Sequence, residues 1–177
     1  DLKKAQHIEQ MEELLDGLEK EITVYLAEVS QHSLTPQQSK TVAGYMSAAN
    51  DLERIGDHSQ NILQLAELKF EDRLPFTETA LQELQLIYNK VDTVLSKAIK
   101  AFELEDLSLA EIVIEEDDEI DEVEKELRQR HIQRINHKSC HPSSGVIYLD
   151  VLSNLERIAD HANNLAQGVV EDITFRP

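Results

Sequence analysis

Apolar residues recur every three or four positions along nearly the whole chain, the spacing of one helical face. A first stretch, predicted over residues 2–31, carries Met11, Leu15, Leu18, Ile22, Leu26 and Val29 on that spacing. The second opens with a cap at Thr35, a proline at the first helical position (Pro36) and Gln38 placed to complete a capping box. It is expected to reach about Lys69. A third follows Pro75, over residues 77–103, and a fourth covers 106–137. A loop at 139–144, containing Pro142, leads into a fifth that ends near Glu171. Glycine (5) and proline (4) are scarce, aromatics make up 5%, and no segment alternates with period two. The pattern predicts an all-α bundle of five long helices.

Polar positions carry the second message, because they repeat. DLERIGDHSQNI (residues 51–62) returns as NLERIADHANNL (154–165). Upstream, MEELLDGLEKEI (11–22) aligns with EDDEIDEVEKEL (116–127), so Glu12, Asp16 and Glu19 match Asp117, Asp121 and Glu124. The order is an acidic helix and a motif helix, then a long helix, an acidic helix and a motif helix. This divides the chain into a first repeat at 1–74 with two helices and a second at 75–177 with three, within one compact domain. A leading helix missing before Asp1 is the economical explanation of the inequality, and a chain that opens on Asp1 already helical is expected to be a piece of a longer protein.

A helix turns about 100° per residue, so positions four and eight apart share a strip. Glu53, Asp57 and Asn61 form one such strip, and Glu156, Asp160 and Asn164 the other. On the wheel, Val42, Tyr45, Ala49, Leu52, Gly56, Leu63 and Ala66 face the core, while Glu53, Asp57, Asn50 and Asn61 share an arc of roughly 80° beside it. If acidic and motif helices pack side by side, both rows border one groove. Like charges four apart cost about a few tenths of a kcal/mol per pair, and the cost recurs at matching positions. Hard or borderline divalent cations suit such oxygens. Arg54 and Arg157, each following its Glu, offer the competing explanation of a salt-bridged, solvated face. Gly56 and Ala159 match each other and read as small residues for close helix approach. His58 and His161 point well away from the glutamates and read as surface or helix-crossing residues. His131, His137 and His141 flank Cys140 without zinc spacing.

Composition narrows the classes. The apolar fraction, 41%, supports a folded core over 177 residues, and a net charge of −18 argues against a nucleic-acid partner. The lone Cys140 permits no intramolecular disulfide and suits a reducing compartment. No apolar run is long enough to span a membrane, and no signal peptide is evident. A di-iron enzyme of the bundle type would use Glu-x-x-His. The residues three before each His are Lys4, Val29, Ile55, Arg128, Arg134, Lys138 and Ile158, so that motif does not occur.

The doubled LERIGDH/LERIADH phrase, each time preceded by an acidic helix, resembles the PhoU domain family over nearly the whole chain. The runs LEKEITVYLAEVSQHSLTPQQS (18–39) and RQRHIQRINHKSC (128–140) with SGVIYLDVLSNLERIADH (144–161) are similar to the cytosolic PhoU-like tail of bacterial sodium/phosphate cotransporter family proteins. The resemblance implies two three-helix repeats, with five of six helices here. It also implies iron or other divalent metal ions at the acidic signature, Glu53/Asp57 and Glu156/Asp160, with a weaker carry-over to Asp16 and Asp121. From the spacing, Glu12 and Asp117 join the candidate ligands. The function implied is non-enzymatic regulation of phosphate transport at the cytosolic face of the inner membrane. The partner would be a transporter membrane domain, in the same polypeptide or apart from it, or a phosphate-signalling protein. A homo-oligomer is left open, and the alternative reading is a partner-docking helical module without metal.

Overall fold

The computed structural model describes residues 2–174, and the side chains of residues 3–171. Five helices follow one another: α1 (Leu2–Val29), α2 (Pro36–Glu71), α3 (Glu78–Leu104), α4 (Leu107–Asn136) and α5 (Pro142–Thr174). No strand occurs among the described residues. The starts are set by side chains that satisfy otherwise orphaned N–H groups. Thr35 Oγ1 accepts from Gln38 N at 3.2 Å while Gln38 Oε1 accepts from Thr35 N at 2.9 Å, the capping box expected from the sequence. Thr77 and Asp106 cap α3 and α4 through Ala80 N and Leu109 N.

α5 is the hub, packed against α2, α3 and α4, with α3 and α4 also in mutual contact. Among the described residues α1 packs against α2 alone. Tyr148, Leu152 and Ala159 of α5 interleave with Ile87 and Val94 of α3 and with Val113, Ile120 and Leu127 of α4, all fully or almost fully buried. Burying each large aliphatic side chain there contributes about 1.5–3 kcal/mol. The first repeat lacks such a core, and two residues expected to face one, Tyr45 and Ala66, lie on the exposed side of α2. α1 still approaches α2 closely at Gly56, where a Cβ would lie 2.9 Å from Leu15 Cδ1. That glycine serves packing, as its place in the repeat suggested.

Candidate metal centre

The acidic helix and the motif helix lie side by side in both repeats, α1 on α2 and α4 on α5, so each acidic row borders its partner helix. The two are clasped by matching bonds. Gln60 Nε2 donates to Glu12 Oε2 at 3.2 Å, and Asn163 Nδ2, its counterpart, donates to Asp117 Oδ2 at 2.5 Å. Glu12 and Asp117 therefore bridge helices, and Asp117 Oδ1 is buried without a hydrogen-bond partner. Burial first, and the charges of Asp160, Asp121 and Asp118 after it, push Asp117 up to about 6 against the lowering effect of Asn163.

In the second repeat Asp121 of α4 and Glu156 and Asp160 of α5 converge, each placing one carboxylate oxygen within 4.8 Å of the others. Burial raises the pKa of Glu156 first, followed by repulsion from Asp160 and Asp121; Asp160 is raised by burial and then by Asp121. Arg157 makes no ion pair among the described residues; its charge only partly offsets the repulsion at Glu156 and Asp160. Glu124 is engaged by Arg128, and Asp121 lies 3.4 Å from Lys125.

The first repeat presents the same residues differently. Arg54 lies 3.5 Å from Glu53 and 3.1 Å from Asp57, and Lys20 holds Asp16 at 2.6 Å. Glu53 Oε2 is nevertheless buried without a hydrogen bond, and burial with Asp57's charge raises its pKa. The salt-bridged alternative thus describes the first repeat, whereas the convergent trio belongs to the second. An all-oxygen donor set whose carboxylates repel one another fits a hard or borderline divalent cation, and Asp117 on the same acidic helix holds an orphaned buried oxygen.

Asn61 and Asn164 do not extend these strips. They turn to the α2–α5 crossing, where Asn164 Nδ2 donates to Asp51 Oδ1 at 3.1 Å and Asn61 Nδ2 to Asn154 Oδ1 at 3.4 Å. His58 and His161 stack there with ring centroids 5.7 Å apart, donating to Asn154 and Asp51 respectively. They are helix-crossing residues. Sequence reasoning missed the buried cluster at the far end of the second repeat. Glu83 accepts from Arg134 at 2.9 and 2.5 Å and from the Tyr148 hydroxyl at 2.8 Å. Arg134 also donates to His131 Nδ1 at 2.9 Å, and the His131 ring stacks on Tyr148 at 3.9 Å. Glu83 and Arg134 are far apart in the chain, and no motif joins them. The Gln60 and Asn163 clasps, by contrast, stand at matching repeat positions and could have been read.

Known proteins share the sequence pattern and the fold. The PhoU domain family model matches residues 1–66 and 84–169. A phosphate-specific transport system accessory protein PhoU homolog 1 of Thermotoga maritima is 31% identical over 167 residues, spanning 94% of this chain and 71% of that protein. The crystal structure of PhoU from Pseudomonas aeruginosa has a TM-score of 0.91 at 22% identity, covering 99% of this chain and 84% of that one. The phosphate transport system regulatory protein PhoU from Streptococcus pneumoniae has a TM-score of 0.84 at 23% identity, covering 98% and 81%. At these identities the two structures speak for the fold.

Proposed function

The chain belongs to the PhoU domain family, and from that premise we propose that it is a non-enzymatic regulator of phosphate transport that binds divalent or iron ions through its acidic repeats. Regulation is supported by the relative named as a phosphate transport accessory protein. The observation that carries the metal reading is the convergence of Asp121, Glu156 and Asp160. A bound cation would supply the positive charge that offsets their mutual repulsion. Asp121 stands on α4 and the other two on α5, so drawing the trio together sets the spacing of those helices. α5 also packs on α2 and α3, which carries a change at the trio to the rest of the bundle. Glu53 and Asp57, with Asp16, form the second and weaker position, opened only when Arg54 swings away.

The partner in this reading is a phosphate transporter or a phosphate-signalling protein, acting at the cytosolic face. No described helix is long and apolar enough to cross a membrane. Resemblance of residues 18–39, 128–140 and 144–161 favours a sodium/phosphate cotransporter as the transporter concerned. Metal analysis of the purified chain against a Glu53→Gln/Asp57→Asn/Glu156→Gln/Asp160→Asn variant tests the metal reading, and equal metal content in both would overturn it. Deleting the gene should raise phosphate uptake in phosphate-replete cells, with sodium dependence of the excess identifying the cotransporter. Restoration by the wild-type chain and not by the variant is the expected outcome.

The exposed apolar positions Met11, Leu18, Ile22 and Tyr25 on α1 favour a second role, docking of a helical partner that needs no metal. Gel filtration with and without chelator separates the two, since docking through α1 is indifferent to chelation.

A further inference from the structure

We propose that the cleft bounded by α2, the end of α3 and the C-terminal part of α5 binds a small organic ammonium ion, an aliphatic amine or diamine. The Asp51 carboxylate would hold its charge and the Tyr45 and Phe102 rings its carbon chain. The cleft encloses about 450 Å³ and lies away from the acidic trio. Tyr45 and Phe102 meet edge to face at 6.2 Å, and Ala48, Leu165 and Val169 complete its apolar wall. Asp51, only 9% exposed, lines it.

The repeat isolates what is unusual here. Asp51 and Asn154 occupy the same position, and each accepts from a histidine and an asparagine at the crossing. Asn154 shows that the crossing needs only a carbonyl acceptor, so the negative charge of Asp51 is not required for it. Donation from His161 Nδ1 likewise needs no charge on the ring, as the His58–Asn154 bond illustrates. No lysine or arginine pairs with Asp51 among the described residues.

The clefts around the two residues differ in the same sense. Among the described residues, that of Asp51 is lined by Asp51, Glu105, Glu171 and Lys40 and carries two aromatic rings. Its counterpart around Asn154 is lined by one carboxylate, Asp150, and one guanidinium, Arg157, with no ring. Rings with an adjacent buried carboxylate attract ammonium groups through the ring faces and the charge together. Among the described residues no three of its carboxylates converge as those of the acidic trio do, which a bare divalent ion seeking several oxygens would need.

Titration of the full chain with n-butylammonium, in chelator and at physiological ionic strength, tests the proposal. The readout is the NMR shift of the Tyr45 and Phe102 ring protons, with n-butanol and butyrate as neutral and anionic controls. Saturable shifts are expected for the ammonium alone, at least about tenfold weaker in Asp51→Asn and unchanged in Asp150→Asn. Asp51→Asn is expected to fold because Asn154 already serves at the matching position. Phe102→Leu gives an independent reading and should weaken binding about threefold or more. Equal affinity in Asp51→Asn or in Phe102→Leu, equal affinity for n-butanol, or no saturable shift would each overturn the assignment.

Discussion

Tyr45 and Tyr148 stand at the same position of the two repeats, yet the first is 48% exposed and the second is fully buried. Ile22 and Leu127 differ likewise, at 41% and 2%. The helix that makes the difference is α3, which covers α4 and α5 and has no equivalent over α1 and α2. The two repeats therefore share a pattern of apolar and acidic positions and differ in what the pattern achieves. Periodicity specifies which face is apolar; a second surface decides whether that face is buried. The acidic rows diverge in parallel. Arg54 lies against Glu53 and Asp57 of the first, while the second keeps three carboxylates facing one another.

The most drastic way to break this comparison is to truncate both tyrosines. Tyr148→Ala opens a cavity and deprives Glu83 of a donor, and should cost about 3–5 kcal/mol. Tyr45→Ala removes an exposed ring and should cost less than about 1 kcal/mol. Urea unfolding compares them directly, and equal losses would mean that the repeats are equally well packed.

The buried cluster sharpens the contrast, because the first repeat places Leu26 and Val29 where the second has His131 and Arg134. Arg134→Met strands the Glu83 carboxylate in the core and should cost about 3 kcal/mol. The double variant Arg134→Met/Glu83→Leu should recover much of that loss. Chemical denaturation of the single and double variants shows whether the ion pair or its geometry matters.

The pH dependence of the metal-free protein follows from Asp117. Its pKa is raised to about 6 by burial, so the folded chain holds a proton that the unfolded chain releases. Stability from this group is fully present below the unfolded value and is lost as pH rises towards 6. The loss has a limiting slope of about 1.4 kcal/mol per pH unit for one proton. Asp117→Asn should flatten that decline when unfolding is followed in chelator between pH 4 and pH 7. An unchanged slope would assign the titration elsewhere.

Much of this was legible in the sequence. Five helices followed from spacing and the cap of α2 from Thr35, Pro36 and Gln38, and the bounds moved by only a few residues. Glu156 and Asp160 of the second acidic phrase converge with Asp121, which stood outside the core signature. What failed was the reading of faces where tertiary contact decides: Asn61 and Asn164 lie on the motif strip by angle but turn to the crossing helix. Tyr45 was expected inward because the wheel cannot tell that α3 covers only one repeat. The Glu83–Arg134 pair was invisible because nothing local signals an ion pair between distant helices.

The central claim is that matching acidic motifs are functionally unequal. Calorimetric titration of the chelator-treated chain with manganese or iron(II) tests it, comparing Glu53→Gln/Asp57→Asn with Glu156→Gln/Asp160→Asn. The second variant should lose the tightest-binding ion while the first retains it. Loss of that ion in the first variant, with the second unaffected, would contradict the account.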